Sequence, residues 1–120
     1  MSGESQSSAL VQGTLHMLVL KTLALEPLHG HGIGVRLEQI SRGVFKVNAG
    51  SLFPALRRLE RDGLIKGAWR ITENNRQAKY YALTPLGRKQ LRHELSTWAR
   101  FAEAVGKIVR ATEKPAWVQG

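Results

Sequence analysis

A chain of 120 residues without cysteine excludes a disulfide framework, a thiolate metal centre and a Cys nucleophile, and its size suits one domain with a modest core. Its 18 Lys and Arg against 9 Asp and Glu give a net charge of +9, and the excess is local, because 12 of the basic but only 3 of the acidic residues lie between Arg42 and Arg92. A basic stretch of this kind is the footprint of a polyanion. A membrane surface would instead ask for one basic amphipathic helix with Trp, Phe and Leu opposite the charges.

Residues 1–9 are small and polar and read as a flexible tail. They lack the apolar core of a signal peptide, so a cytoplasmic protein is expected. A helix follows over 10–25, with Val11, Leu15, Leu18, Thr22 and Leu25 on one side and Met17, Val19, Leu20 and Leu23 widening the stripe nearly all round. Such a helix must be covered on two faces, one by the domain core and one by a second partner. His16, Lys21 and Glu26 keep the run from reaching a membrane span, and Glu26-Pro27 closes it.

The segment His29-Gly30-His31-Gly32-Ile33-Gly34 is not a dinucleotide loop, since no strand precedes it and the third glycine is missing. Its two histidines stand two apart rather than at a metal-binding helical spacing, with no acidic companion, so neither metal nor cofactor is expected. Ile33, Leu37 and Ile40 mark a second helix ending at Ser41-Arg42-Gly43, and Phe45 is expected to plug the core from the short connection after it.

Residues 48–64 form the element the chain is built to present. Asn48 has the chemistry of an N-cap, Leu52, Leu56 and Leu59 share one helical face, and Gly63 fits the left-handed position after the last turn. Ser51, Arg57, Arg58 and Arg61 fall outside that stripe, so the exposed face carries donors and positive charge. Pro54 either sits in the first turn or kinks the helix. Two helices in this succession make a helix-turn-helix.

After Gly63 the period changes to two. Ile65, Trp69 and Ile71 alternate with Lys66, Ala68 and Arg70, as a half-buried strand requires. Glu73-Asn74-Asn75-Arg76 is a turn, because Asn tolerates positive φ, and 78–83 is the return strand. This hairpin carries Lys66, Arg70, Arg76 and Lys79 and can serve as a basic wing. Thr84-Pro85 then opens the last helix with N-cap and N1 residues in order. Leu91, Leu95, Trp98, Ala102, Val105 and Val109 recur at heptad steps along it, the seam of a helix packing on another helix. A second subunit is the expected partner. Residues 111–120 turn polar again, and Trp117 there is expected to be exposed.

Several runs together resemble the PadR-like transcriptional regulators: Gly13-Thr14-Leu15 with Val19-Leu20, Leu28-His29-Gly30, the stretch from Gly50 to Leu56, the stretch from Leu59 to Ile65, and Tyr80-Tyr81-Ala82-Leu83-Thr84 with Gly87. The resemblance spans about residues 10–110. It implies a mainly α fold with a small β-hairpin, a winged helix-turn-helix over 10–83 and a single dimerisation helix over 84–110. It also implies a dimeric repressor, with some relatives released from DNA by phenolic or drug-like compounds. Two residues depart from the usual pattern, Phe53 and His31, where the family commonly has tyrosine.

The expected function is sequence-specific regulation of transcription from a pseudo-palindromic operator in double-stranded DNA. Ser51, Arg57 and Arg58 are expected to read base edges, with Lys66, Arg70, Arg76 and Lys79 on phosphates and Asn48, Arg61 and Asn75 beside them. The homodimer seam comprises Leu91, Leu95, Trp98, Ala102, Val105 and Val109, and Trp98 with Phe101 is a candidate seat for a small aromatic effector. The alternative is a small-molecule sensor or protein-interaction module that keeps the fold without sequence-specific DNA binding. No catalytic grouping can be built from the scattered acidic residues, so enzyme activity is not expected.

Overall fold

The computed structural model describes residues 2–113, with side chains from residue 13 onward. Helix α1 (Ser2–Leu25) leads into a two-residue strand β1 (Leu28–His29), followed by α2 (Gly30–Ile40), α3 (Ala49–Arg61), β2 (Ile65–Ile71), β3 (Gln77–Leu83) and α4 (Pro85–Arg110). The strands form one antiparallel sheet in the order β1-β3-β2. This is a winged helix-turn-helix with a long C-terminal helix.

Helix α1 begins at Ser2, so the flexible tail expected over 1–9 is replaced by helix through residue 9. The polar residues there cost little once a turn exists to extend, because elongation adds one hydrogen bond per residue fixed. Further along, Leu15, Met17, Val19, Leu20, Thr22 and Leu23 are buried on all sides of α1. Helices α2, α3 and α4 and strand β3 surround it. The second face expected to wait for another subunit is therefore covered over this stretch within the chain itself. The Thr22 hydroxyl is satisfied by donating to the Leu18 carbonyl at 2.7 Å.

Around α1 the core is completed by Ile33 and Leu37 of α2, Leu52, Ala55, Leu56 and Leu59 of α3, Ile65, Tyr81 and Leu91. Each fully buried leucine contributes about 1.5–3 kcal/mol relative to exposure. Ile40 is exposed, and Phe45 is only half-buried rather than a core plug. Its backbone N–H donates to the Ser41 hydroxyl, which ties the connection to the end of α2.

Strand β1 was not foreseen, since two residues are too short to display a period. It pairs Leu28 with Tyr81 and His29 with Tyr80, so the hairpin becomes a three-stranded sheet. His29 also caps α2, its Nδ1 accepting the Gly32 N–H at 2.9 Å. Its ring meets Tyr80 edge-on at 5.2 Å and stacks on His31 at 6.2 Å. Next to it, the Phe53 ring lies so close to Gly30 that a Cβ there would sit 2.7 Å from it. The Phe53 ring thus packs closely on Gly30, and a larger residue there would require the ring to shift.

The base of the hairpin is stapled to α4. Thr84 donates its hydroxyl to the Gly63 carbonyl at 2.7 Å and accepts the Gly87 N–H at 3.0 Å as N-cap. Beyond this junction α4 runs on for 26 residues, roughly 39 Å of helix. Its inner residue Leu91 is buried, whereas Leu95, Trp98, Ala102, Val105 and Val109 are exposed. Trp117 lies outside the described residues.

Candidate nucleic-acid interface

Helix α3 is fixed at both ends before any ligand arrives. Asn48 Oδ1 accepts the Ser51 N–H at 2.9 Å, the cap expected from sequence. At the other end Gly63 takes φ +77°, and the Leu64 and Gly63 N–H groups donate to the Leu59 and Glu60 carbonyls at 3.0 Å each. These paired bonds satisfy carbonyls that the end of a helix otherwise leaves open. Pro54 lies in the second turn of a helix starting at Ala49, on the exposed side, so the carbonyl that loses its partner can be hydrated.

With Leu52, Ala55, Leu56 and Leu59 turned into the core, the remaining residues sort onto three sides of α3. Arg57 and Arg61, one turn apart, point away from the buried stripe. Ser51 and Arg58 fall on the flank toward α1, where they line a cleft of about 370 Å³ with Gly13, Leu15, His16, Pro54 and Ala55. Glu60 falls on the flank toward the wing and receives the Lys79 ammonium at 2.9 Å. Arg61 makes only a loose 3.6 Å contact with Asp62, and both side chains are well exposed.

The wing residues separate in the same way. Lys79 is not a free cation, since Glu60 holds it against α3; that hydrogen bond raises its pKa, against a smaller opposing effect of desolvation. Arg70 lies on the reverse face of the sheet, its guanidinium 4.1 Å from the centre of the Tyr80 ring. Lys66 is exposed on the same side as Arg70. Asn75 takes the positive φ of 61° expected of it at the turn, and Arg76 follows, exposed. Trp69 and Ile71 do not complete a half-buried face. Only Ile65 of that alternating set is buried, because α3 ends before the outer half of the wing and no described residue covers Trp69 or Ile71 there.

Two features were missed from sequence. The first is the Glu60–Lys79 tie, which joins residues 19 apart and has no local signature. The second is His16, which had no assigned role. It stands beside Arg58, and its pKa is lowered by burial first and by Arg58 second, with Glu94 and Asp62 pulling the other way. Tyr81 is raised by its burial, against the nearby charges of Lys79 and Arg57.

The family described as "Transcriptional regulator PadR-like family" matches residues 19–93, which include α2, α3, the wing and the start of α4. The chain belongs to that family. Among solved structures it resembles a PadR family transcriptional regulator from Eggerthella lenta, at 31% identity and a TM-score of 0.73, covering 93% of this chain and 99% of that one. It also resembles a transcriptional regulator from Clostridium thermocellum in fold, with a TM-score of 0.77 at 22% identity over 85% and 99% of the two chains. Among curated proteins it is 40% identical over 89 residues to an uncharacterized transposon protein of Streptomyces fradiae, spanning 74% of this chain but 24% of that protein. It is 29% identical over 94 residues to a transcriptional regulator of Mycobacterium tuberculosis, spanning 78% and 84% of the two. As a PadR-like protein it is a DNA-binding regulator of transcription. No helix among the described residues is long and apolar enough to cross a membrane.

Proposed function

We propose that this PadR-like chain is a dimeric, sequence-specific repressor that reads a pseudo-palindromic operator through α3. The observation that carries the reading is the division of α3 itself. Its apolar stripe is buried, and Ser51, Arg57, Arg58 and Arg61 are left exposed on a helix fixed at both ends. A rigid helix of that composition can lie in a major groove, where guanidinium groups match the acceptor pair on guanine. Arg76 at the wing turn and Lys66 on the strand supply phosphate contacts, which position the helix without reading sequence.

The exposed seam Leu95, Trp98, Ala102, Val105 and Val109 supports a second copy as the partner of α4, since such an apolar row on a projecting helix is otherwise left in water. Two copies related by a two-fold axis would present two α3 helices to half-sites about one turn of DNA apart. Between α1 and α4 lies a cavity of about 470 Å³ lined by Met17, His93, Trp98 and Phe101 among others. The Trp98 and Phe101 rings stand 6.2 Å apart and tilted by 38°. This favours a small planar aromatic effector at that place, whose binding releases DNA.

The test is a mobility-shift titration of the full chain on DNA upstream of its own coding sequence, with mixed-sequence duplex as competitor. Selective binding is expected. Binding no better than to mixed sequence would leave the alternative, a sensor or interaction module on a winged-helix fold. Adding planar phenolic compounds to the bound complex tests release, and Trp98→Leu should abolish it.

A further inference from the structure

Lys79, Gly67 and Tyr81 on one face of the sheet make a single arrangement with Glu60 of α3. Paired residues of an antiparallel ladder project from the same face, and so do residues two apart on one strand. Lys79, opposite Trp69, therefore shares a face with Tyr81, opposite Gly67. From there the Lys79 side chain runs back across Gly67 and places Nζ 2.9 Å from Glu60 Oε1. Gly67 leaves that lane open. A Cβ there would collide with Lys79 Cε and stand 3.2 Å from Lys79 Cγ and from Glu60 Oε2. Nζ also lies 5.6 Å from the centre of the buried Tyr81 ring. Among the described residues this is the only side-chain hydrogen bond between α3 and the hairpin.

We infer that Glu60, Lys79 and Gly67 are positioning residues: they form a strut that sets the hairpin against α3, and operator preference depends on it without any of the three touching DNA. This rests on the sequence-specific reading above. The backbone link from α3 to β2 is short, Asp62 to Leu64, and it turns at Gly63 with φ +77°. The core holds the sheet only at its base, through Ile65 and Tyr81, while Trp69 and Ile71 are exposed. Lys79 stands level with Trp69, so the tie reaches a part of the hairpin that the core does not. Glu60 is also the one acidic residue within α3, in a run that holds Arg57, Arg58 and Arg61. A carboxylate on a helix that meets a polyanion opposes binding through its charge. Charge alone therefore makes removal of Glu60 favourable to DNA binding, whereas a strut makes it unfavourable. The two readings differ in sign.

Fluorescence anisotropy of the full chain should be measured on a labelled duplex from upstream of its own coding sequence and on a mixed-sequence duplex, over a series of salt concentrations. Glu60→Gln is expected to lower the preference for the first duplex on the order of 10-fold, the size of one lost base contact. It should do so although it deletes a negative charge and frees a cation. Lys79→Met should lower the preference to a similar degree. Its slope of log affinity against log salt should stay that of wild type, because Nζ is engaged by Glu60 rather than by a phosphate. The two changes together should cost no more than either one, since each removes the same contact. Gly67→Ala keeps every charge, and with no positive φ at residue 67 the strand accepts alanine. It should lower the preference by displacing Lys79. Binding is read below the melting transition of every variant, found by circular dichroism. Should the charge variants melt too early for that, Gly67→Ala replaces them. Glu60→Gln as selective as wild type, or more so, overturns the inference. So does a Lys79→Met slope reduced by about 1, which would make Lys79 a phosphate contact. Gly67→Ala as selective as wild type removes the lane across the sheet and overturns the strut with it. If the wild type itself shows no preference for its own duplex, the sequence-specific reading falls and the strut's role with it, an outcome distinct from failure of the variants alone.

Discussion

Helices α3 and α4 carry the same kind of apolar stripe and put it to different ends. In α3, Leu52, Ala55, Leu56 and Leu59 are all buried by the chain's own elements. In α4 burial stops at Leu91, and Val105 and Val109 remain 42% and 76% exposed. The radius of gyration is 18.0 Å, against about 14 Å for a compact chain of this length. A stripe states that something apolar will cover it, and only the tertiary structure says whether that cover belongs to the same chain. For α3 the buried stripe orients a basic face, whereas for α4 most of the stripe is exposed, which is what supports the proposed pairing with a second copy.

The contrast is sharpest in stability. Leu56 is 0% exposed, and Leu56→Ala should cost about 2–5 kcal/mol, since the cavity left cannot fully collapse. The loss should not depend on protein concentration in urea titrations. Val105→Glu should instead act through association, weakening the dimer on the order of 2 kcal/mol by placing a carboxylate in the seam. Sedimentation of that variant should show monomer at concentrations where the wild type is paired. A monomeric wild type at micromolar concentration would break the comparison, because α4 would then have no cover to lose.

The basic face of α3 gives a third test. Arg57→Ala should cost about 1–3 kcal/mol on the cognate operator and relax preference at the base it reads. Arg70→Ala should matter less, because that guanidinium already lies over Tyr80. Competition binding on base-substituted duplexes measures both. A smaller effect follows from the cap. Asn48→Ala removes the bond to the Ser51 N–H and should lower stability by about 1 kcal/mol.

Most of the fold could be read locally. Asn48, Gly63, Thr84 and Pro85 mark helix ends by their own chemistry, and α2, α3 and α4 declare themselves by period. What escaped were relations between distant residues. Strand β1 is too short to show a pattern and exists because Tyr80 and Tyr81 are there to pair with it. The alternation of Ile65, Trp69 and Ile71 was real, but burial depends on what lies beneath each residue, and α3 reaches only the first. In the candidate interface, the exposed arginines of α3 followed from the stripe alone. The engagement of Lys79 by Glu60 and of Arg70 by Tyr80 required the sheet register.

The smallest expected effect concerns His16, where the two helices are linked through α1. The imidazole lines a cleft with Arg58 of α3, and its pKa is lowered chiefly by burial and then by the charge of Arg58. Because the folded pKa lies below the ordinary value of about 6.5, the unfolded chain takes up the proton first as pH falls. The contribution of neutral His16 to stability is therefore complete above that value and is lost as pH drops through it toward the folded pKa. Glu94 and Asp62 oppose the shift, and the side chain is only half-buried, so the loss should be modest. His16→Gln keeps a polar side chain of similar reach without the titration. Urea midpoints at about pH 7 and about pH 5 should fall further apart for wild type than for the variant, once carboxylate effects common to both are subtracted. An identical pH dependence in the two proteins would show that the imidazole is already hydrated in the cleft. The α1–α3 contact at residue 16 would then be looser than its position beside Arg58 implies.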